Sequence, residues 1–350
     1  MHHFFFRCSL SVFLITLVFI VNINAQPGHD RAPDSMQLST LRSLEKLDDN
    51  LYFMDYRADY FFDRFKEVGT GDMLFEDFTR EYLDKTPSEK PWACSAFMVK
   101  NGRATLLGRN FDWENIPGMI LFTSPDSAYR SVSMVPVDLL MDRTANTPEG
   151  NKKLLWAPYF PVEGINERGL VVAELAVEGE RVFDENKLSM LSLHLTRLLL
   201  DYAANLEEAL GLLAKYNNTA SDRMHFFIAD SSGSSAVVEY IDNNMVITGN
   251  KGPWQAVTNT MVYRNSDKNL RKSCSRYNFI SKYLEAHYNS LLPAGAFNIL
   301  RDISVVRVFS TQFDITTSTQ WSVVYDLPGK SISVVSQRKY GEKFSYSLVE

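Results

Sequence analysis

The stretch that decides the fold is residues 92–113, which reads Trp92-Ala93-Cys94-Ser95-Ala96-Phe97-Met98-Val99-Lys100-Asn101-Gly102-Arg103-Ala104-Thr105-Leu106-Leu107-Gly108-Arg109-Asn110-Phe111-Asp112-Trp113. Two apolar runs flank the dipeptide Asn101-Gly102, which is a strong signal for a β-hairpin. In a hairpin the start of the first strand lies beside the end of the second. We therefore expect Cys94, Arg109 and Asp112 to meet at one end of a sheet. A guanidinium near a thiol favours the thiolate, so this cysteine is a candidate nucleophile.

Strand and helix patterns follow one another after this hairpin. Further strand-like runs cover residues 169–177, 224–229, 236–240, 245–248, 321–325 and 331–336. Helical spacing covers residues 188–203, 206–216, 268–287 and 296–302. Hairpins separated by paired helices predict an α+β domain over residues 94–350, in which two antiparallel sheets are covered by helices on the outside.

The segment before the hairpin has a different pattern. Residues 26–35 are polar and read as a linker. From Met36 to Phe65 the apolar residues recur at helical spacing, and a shorter helix is predicted over residues 75–83. We therefore predict that residues 26–93 form a helical segment.

The first 25 residues have the layout of a secretory signal. A short start with one basic residue, Arg7, precedes an apolar run from Leu10 to Val21, and a small residue, Ala25, follows. We predict cleavage after Ala25 and a periplasmic or extracellular product. The alternative is an uncleaved membrane anchor over residues 4–21.

Composition excludes several classes of function. The chain has 350 residues, of which 45% are hydrophobic, so it can bury a sizeable core. Its net charge of −6 argues against nucleic acid as the main partner. Three cysteines cannot build a disulfide framework, and the six histidines show no metal-ligand spacing. We expect no cofactor and no metal.

Five short motifs together resemble a known family, the choloylglycine hydrolase and acid-amidase group of N-terminal-nucleophile (Ntn) hydrolases. Its members include bile-salt hydrolases, penicillin V acylases, acid ceramidase and N-acylethanolamine acid amidase. The motifs are Cys94-Ser95, Gly108-Arg109-Asn110-Phe111-Asp112-Trp113, Asn166-Glu167-Arg168-Gly169-Leu170, Val257-Thr258-Asn259 and Ser275-Arg276-Tyr277. The resemblance implies a four-layer αββα sandwich, preceded here by the signal peptide and the helical segment.

The resemblance also implies a mechanism. It implies that the precursor cuts itself between Ala93 and Cys94 and that the freed α-amine serves as the base for the thiol. Residues 26–93 would then be either a propeptide or a retained small subunit, and their retention would have to be non-covalent because they contain no cysteine. An α-amine titrates near ~7.7–8.0 and a thiol near ~8.5, so proton exchange between them costs little near neutral pH. In similar enzymes the residue that matches Asp112 holds the α-amine. The residue that matches Arg109 helps to place the substrate, and the residue that matches Asn259 donates a hydrogen bond to the oxyanion. The residue matching Arg276 supports the site electrostatically.

Two residues are expected to touch the substrate, and one position departs from the bile-salt hydrolases. Those enzymes carry a second oxyanion asparagine where this chain has Ala176. The acid ceramidase branch has a glutamate in this region, which Glu174 could match. Trp113 is either pocket wall or core. The predicted substrate is an acyl amide with a fatty-acyl or bile-acid side, and the apolar N-terminal residues could make transient contact with lipid.

Other functions remain open at this point. A thiol peptidase could pair Cys94 with His225 or His194, although no peptidase signature surrounds the cysteine. An exported binding protein could keep the fold without cutting itself. A serine hydrolase is disfavoured, because the chain has no Gly-x-Ser-x-Gly motif.

Overall fold

A computed structural model describes residues 32–69, 93–138, 140–263, 274–310 and 315–349. The predicted signal peptide and the helix predicted over residues 75–83 lie outside these ranges. Within them, no helix combines the length and apolar character needed to cross a membrane.

Helices and strands alternate along these residues. The helices are α1 (Ser35–Arg42), α2 (Phe62–Val68), α3 (Ser192–Tyr202), α4 (Leu206–Leu213), α5 (Ser275–His287) and α6 (Pro293–Asp302), with 3-10 helices at Pro148–Tyr159 and Tyr288–Ser290. The strands are β1 (Glu45–Asp48), β2 (Leu51–Tyr56), β3 (Ser95–Lys100), β4 (Thr105–Trp113), β5 (Gly118–Thr123), β6 (Ser131–Pro136), β7 (Glu163–Asn166), β8 (Val171–Ala176), β9 (Leu188–Met190), β10 (Tyr216–Asn218), β11 (Met224–Ala229), β12 (Ser235–Ile241), β13 (Asn244–Gly249), β14 (Trp254–Thr258), β15 (Val308–Ser310), β16 (Ile315–Asp326), β17 (Ser331–Ser336) and β18 (Phe344–Ser347).

Two large sheets form the centre of the molecule. The nine-stranded sheet has the order β1-β2-β5-β6-β7-β8-β11-β12-β13, and the seven-stranded sheet has the order β14-β3-β4-β16-β17-β18, with β15 paired to β16. The predicted hairpin is confirmed as β3 and β4, whose register runs from Ser95 opposite Asn110 to Lys100 opposite Thr105. Both sheets are antiparallel except for the β2–β5 pair, which is parallel.

The helices cover the outer faces of the two sheets. On the nine-stranded sheet, α3 packs so closely that a Cβ at Gly164 would come within 2.9 Å of the Leu200 side chain. On the opposite face of the same strand, the Glu163 carboxylate accepts a hydrogen bond from Trp321 of the seven-stranded sheet. Beyond that second sheet, Phe97 shares a buried cluster with Ile280 of α5 and Leu300 of α6. The order is helix, sheet, sheet, helix.

The prediction of continuous helix from Met36 to Phe65 is wrong in its middle. Helix α1 begins with a capping box between Asp34 and Gln37 and ends at Arg42. Residues 45–48 and 51–56 then form β1 and β2, and β2 runs beside β5 from Leu51–Gly118 to Tyr56–Thr123. Residues 51–56 are rich in aromatic side chains, which favour strands, and β5 offers them a hydrogen-bonding edge. This tertiary pairing overrides the helical spacing.

Aromatic side chains fasten residues 32–69 to the rest of the fold. The Tyr56 hydroxyl donates to the Leu155 carbonyl at 2.8 Å. The Tyr60 hydroxyl lies 3.0 and 2.9 Å from the two carboxylate oxygens of Asp201, which also pairs with Arg197 at 2.9 Å. Phe62 and Phe65 pack on the Tyr159 ring. Residues 32–69 thus share one core with the residues that follow Cys94.

Removing the Tyr60 hydroxyl should weaken the fold. Burial raises the pKa of Asp201 to about 6, and the pairing with Arg197 and Tyr60 opposes that rise. Tyr60→Phe leaves this buried carboxylate with one partner fewer, so we expect a loss of about 1–3 kcal/mol in the free energy of unfolding, measured by urea titration at pH 7.5. Tyr263→Phe, at a side chain that is 53% exposed, is the control and should change this free energy by less than about 0.5 kcal/mol. Equal effects of the two substitutions would contradict this role.

Candidate active site

The cysteine predicted as nucleophile lies directly before β3. Cys94 is buried, with 1% of its surface exposed. Its sulfur is 3.8 Å from Arg109 Nη2, and it accepts a hydrogen bond from the backbone N–H of Asp112. The pairing of Ser95 with Asn110 brings these residues to the same end of the hairpin. The predicted meeting of Cys94, Arg109 and Asp112 is confirmed.

Arg109 links the sulfur to the other sheet. Its Nη1 donates to Glu163 Oε1 on β7 at 2.5 Å, and its Nη2 donates to the Glu174 carbonyl on β8 at 2.5 Å. Arg109 and Glu163 are buried almost completely. Burial raises the pKa of the Cys94 thiol, and the positive charge of Arg109 opposes that rise. The thiol pKa is therefore lower with the guanidinium in place than burial alone would make it.

Among the residues that the structure describes, Asp112 has one carboxylate oxygen that accepts a hydrogen bond and one that does not. Oδ1 accepts a hydrogen bond from Thr319 Oγ1 at 2.5 Å. Oδ2 is buried, receives no hydrogen bond from the described residues, and lies 3.8 Å from Arg276 Nη1. Burial raises the pKa of Asp112 to about 7, against the Thr319 hydrogen bond and the charges of Arg276 and Arg109. This carboxylate can change protonation near neutral pH.

Arg276 reaches the peptide bond that precedes the cysteine. It stands in the first turn of α5, after Cys274 at the N-cap. Its Nη1 donates to the carbonyl oxygens of Ala93 and Cys94 and, at 2.7 Å, to Ser95 Oγ. The resemblance implied a supporting electrostatic role. The structure places the guanidinium directly on the carbonyl groups on both sides of the Ala93–Cys94 bond.

Asn259 follows β14 and lies against the same guanidinium. Its Oδ1 accepts from Arg276 Nη2 at 3.1 Å, and its Nδ2 donates to the Ala176 carbonyl at 2.9 Å. An amide nitrogen carries two hydrogens, so a second N–H remains for another acceptor. Glu239 fixes the loop that follows, because it accepts from the backbone N–H groups of Val262 and Tyr263. The role of Asn259 as an oxyanion donor stays a prediction.

The two residues predicted to bind substrate, Glu174 and Trp113, have other partners in the structure. The Glu174 carboxylate accepts from Thr196 Oγ1 of α3 at 2.7 Å, and only its main-chain oxygen meets Arg109. Burial raises the pKa of Glu174 to about 7. Trp113 is buried in the core between the sheets, with its ring 6.3 Å from that of Phe111. Their contact with substrate stays a prediction.

The two histidines weighed for a peptidase dyad have other surroundings. His194 is buried on α3 and packs edge-on against Phe65, with its ring centroid 4.8 Å away. Burial lowers the pKa of His194 to about 3, so it stays neutral. His225 Nδ1 lies 3.2 Å from Glu239 Oε1. The groups seen at the Cys94 sulfur are a guanidinium and a backbone amide, which gives the dyad no support.

Sequence reasoning missed two residues of the site, Glu163 and Thr319. Glu163 accepts hydrogen bonds from Arg109, Trp321 Nε1 and Tyr325 OH. One signal could have identified it, since a lone carboxylate within the apolar run 160–165 needs a buried partner. Thr319 has no such signal, because nothing local distinguishes it from Thr316 and Thr317 nearby.

Comparison with known proteins supports the resemblance. The family described as acyl-coenzyme A:6-aminopenicillanic acid acyl-transferase matches residues 159–340. Penicillin V acylase from Agrobacterium tumefaciens is similar in structure over 73% of this chain and 87% of its own, with a TM-score of 0.56 and 22% identity. A mutant of the conjugated bile acid hydrolase from Clostridium perfringens is similar over 73% of this chain and 92% of its own, with a TM-score of 0.56 and 15% identity. No curated protein matches the sequence. At these identities the two structures establish the fold.

Neutralising Glu163 should make the Cys94 thiol more acidic. In Glu163→Gln the Arg109 charge loses its counter-ion and acts more strongly on the sulfur, so the thiol pKa should fall by about one unit. The ultraviolet absorbance of the thiolate as a function of pH, taken as the difference from the same protein with Cys94→Ala, measures this without a reagent having to reach the buried sulfur. Tyr325→Phe is the matched control, since it removes a hydrogen bond from the same carboxylate and keeps the charge. A thiol pKa that is unchanged or higher in Glu163→Gln would contradict this electrostatic coupling.

Proposed function

Because the chain belongs to the acyl-coenzyme A:6-aminopenicillanic acid acyl-transferase family, we propose that it is an Ntn-type cysteine amidase that cuts itself before Cys94 and then hydrolyses a linear acyl amide. One observation carries this proposal. The Ala93–Cys94 peptide bond lies between a thiol beside Arg109 and the Arg276 guanidinium, which donates to the Ala93 carbonyl oxygen.

This arrangement supports the proposed cut. The Cys94 sulfur attacks the carbonyl carbon of Ala93, and negative charge develops on the oxygen that Arg276 already contacts. Collapse breaks the C–N bond and transfers the Ala93 acyl group to sulfur, while the nitrogen of Cys94 takes up a proton and becomes an α-amine. Water then hydrolyses the thioester, which releases a carboxylate at Ala93 and a free thiol at Cys94.

The same groups then serve an external amide. The α-amine accepts the thiol proton, and the sulfur attacks the substrate carbonyl. The leaving amine takes that proton, and water releases the acid from the acyl-thioester. Asn259 has a second amide N–H for the oxyanion, a type of contact worth roughly 2.7–4 kcal/mol of barrier. Cys94 is buried in the continuous chain, so the cut has to come before a substrate can reach the sulfur.

We place the substrate among amides with a large apolar acyl group. The structural neighbours are named for penicillin V and conjugated bile acids. The bile-salt hydrolases that the sequence resembles have an asparagine where this chain has Ala176, whose carbonyl takes up one N–H of Asn259. That difference favours a fatty-acyl or aryl-acyl amide over a bile-acid conjugate. The N-terminal pattern of residues 1–25 supports export, so we place the reaction outside the cytoplasm.

Self-cleavage can be read from the intact mass of the exported protein. We expect fragments that correspond to residues 26–93 and 94–350, together with hydrolysis of at least one member of a panel of penicillin V, N-acylethanolamines, fatty-acyl amides and bile-acid conjugates. Cys94→Ala should remain uncut and lose more than about 10³-fold in kcat/KM, because it lacks the nucleophile. Cys274→Ala is the matched control and should be cut as the wild type is. A single uncut wild-type chain without hydrolysis would favour a binding protein.

The small fragment should stay bound after the cut. The β2–β5 ladder spans six residue pairs, and Tyr56, Tyr60, Phe62 and Phe65 are buried against the larger part. We therefore expect both fragments to elute together in gel filtration under native conditions and to separate in 6 M guanidinium chloride. The uncut Cys94→Ala protein gives the reference elution volume. Elution of the larger fragment alone would show that residues 26–93 are discarded as a propeptide.

A further inference from the structure

The hydroxyl of Thr319 is fixed in one hydrogen-bonding role. The oxygen accepts a hydrogen bond from the backbone N–H of Val305 at 2.8 Å, and the O–H donates to Asp112 Oδ1 at 2.5 Å. The backbone N–H of Thr319 donates in turn to the Val305 carbonyl at 2.9 Å. A hydroxyl has one hydrogen, and the Val305 N–H occupies a lone pair, so that hydrogen is directed at the carboxylate.

A β-bulge brings Thr319 to this position. Along β16, Thr319 lies opposite Asp112 and Trp321 opposite Phe111, so Gln320 is the extra residue. Side chains of a regular strand alternate between faces, and residues 319 and 321 would then share one face. The bulge lets Thr319 reach Asp112 while Trp321 stacks on Phe111, with ring centroids 4.2 Å apart, and donates to Glu163.

The Gln320 side chain holds the bulge in place. Its Nε2 donates to the carbonyl of Trp113 and to the carbonyl and hydroxyl oxygens of Ser318, and its Oε1 accepts from the Ile116 backbone at 3.3 Å. The extra residue is thus buried and hydrogen-bonded. These bonds keep Thr319 in register with the carboxylate.

The other oxygen of Asp112 lies near the same arginine nitrogen that contacts the peptide bond before Cys94. Arg276 Nη1 contacts the carbonyl oxygens of Ala93 and Cys94, and the same nitrogen is 3.8 Å from Asp112 Oδ2. Oδ2 is buried and receives no hydrogen bond from the described residues. An α-amine formed at Cys94 would bring the N–H donors that this oxygen lacks.

We propose that Thr319 is a positioning residue, whose hydroxyl holds Oδ1 of Asp112 so that Oδ2 remains for the α-amine of the cut Cys94. This inference rests on the proposed function, since only a cut chain has that amine. In this proposal the bulge places Thr319 so that its hydrogen bond gives the Asp112 carboxylate one fixed orientation and keeps it ionised.

The charges around Asp112 set the direction of the expected effect. Arg109 lies on the same strand as Asp112, and Arg276 reaches the carboxylate from α5. The Cys94 sulfur lies near the Asp112 backbone N–H, and the carboxylate acts electrostatically on the Tyr340 phenol, which follows β17. Burial raises the pKa of Asp112, and the Thr319 hydrogen bond opposes that rise. Loss of the hydroxyl raises this pKa further. The ionised form that holds the α-ammonium is then lost at a higher pH as the solution is acidified.

The test compares Thr319→Val, Thr319→Ser and the wild type as cut proteins. We measure kcat/KM between pH 4 and pH 9, with penicillin V as the first probe and the other acyl amides of the panel as replacements if it is not hydrolysed. In Thr319→Val the acid limb should move up by about one pH unit, while the plateau stays within about threefold. Thr319→Ser keeps the donor and should retain the wild-type limb. If Thr319→Val does not fold, Thr319→Ala removes the same hydroxyl without adding a methyl group.

Ser322→Ala is the matched control. Ser322 lies on the same strand and donates to Asn110 Oδ1 rather than to Asp112, so its loss should leave the acid limb in place. An equal loss of kcat/KM at every pH in Thr319→Val, or an unmoved acid limb, would overturn the assignment. Either result leaves the proposed function intact if the wild type is cut and active. A wild type that is neither cut nor active overturns both.

Discussion

The buried charge of Arg109 is the constraint on which the site depends. Burying a charged guanidinium between two sheets costs desolvation free energy, unless a carboxylate and further hydrogen bonds compensate it. Glu163 provides the carboxylate from the opposite sheet, and Trp321 and Tyr325 donate to its oxygens. The two sheets cannot slide past one another without breaking this pair. Because the Cys94 sulfur is 3.8 Å from the same guanidinium, the packing of the sheets also fixes the position of this thiol.

The two arginines of the site act on different atoms. Arg109 is fully buried, and its charge is matched by Glu163 at 2.5 Å, so its influence on the sulfur is moderated. The Arg276 side chain is 19% exposed, and its nearest described carboxylate oxygen, that of Asp112, is 3.8 Å away. It donates to carbonyl oxygens instead, so more of its charge remains for an oxygen that becomes negative. In the proposed reaction, one arginine therefore tunes the thiol and the other tunes the carbonyl group that the thiol attacks.

The parts of this structure that could be predicted from the sequence are those set by local signals. The Asn101-Gly102 signal predicts the β3–β4 hairpin, and the register set by its four-residue loop, residues 101–104, brings Cys94, Arg109 and Asp112 together. Asn259 and Arg276 were placed only through the family resemblance, since long connections separate them from the hairpin. The strand β5 has no alternating pattern, because nearly all of its residues are buried on both faces. Strand β2 was mistaken for helix, because its partner β5 lies far along the chain, beyond the β3–β4 hairpin. The bulge at Gln320 depends on hydrogen bonds to Trp113 and Ile116, and no local sequence pattern predicts these contacts.

For the proposed cut, the Asp112 oxygen that lacks a hydrogen bond from the described part of the chain sets a thermodynamic direction. In the continuous chain the Cys94 nitrogen belongs to a peptide group and has one hydrogen, whereas an α-ammonium has three. A buried acceptor without a hydrogen bond costs about 1–3 kcal/mol, and more when it is charged. In the proposed reaction the amine created by cleavage would satisfy Oδ2 where the peptide group leaves it without a hydrogen bond, so the folded site would stabilise the cut chain relative to the uncut one. The carboxylate that orients the base in the mature enzyme would then also oppose re-formation of the peptide bond, since closing that bond would leave Oδ2 without its partner again.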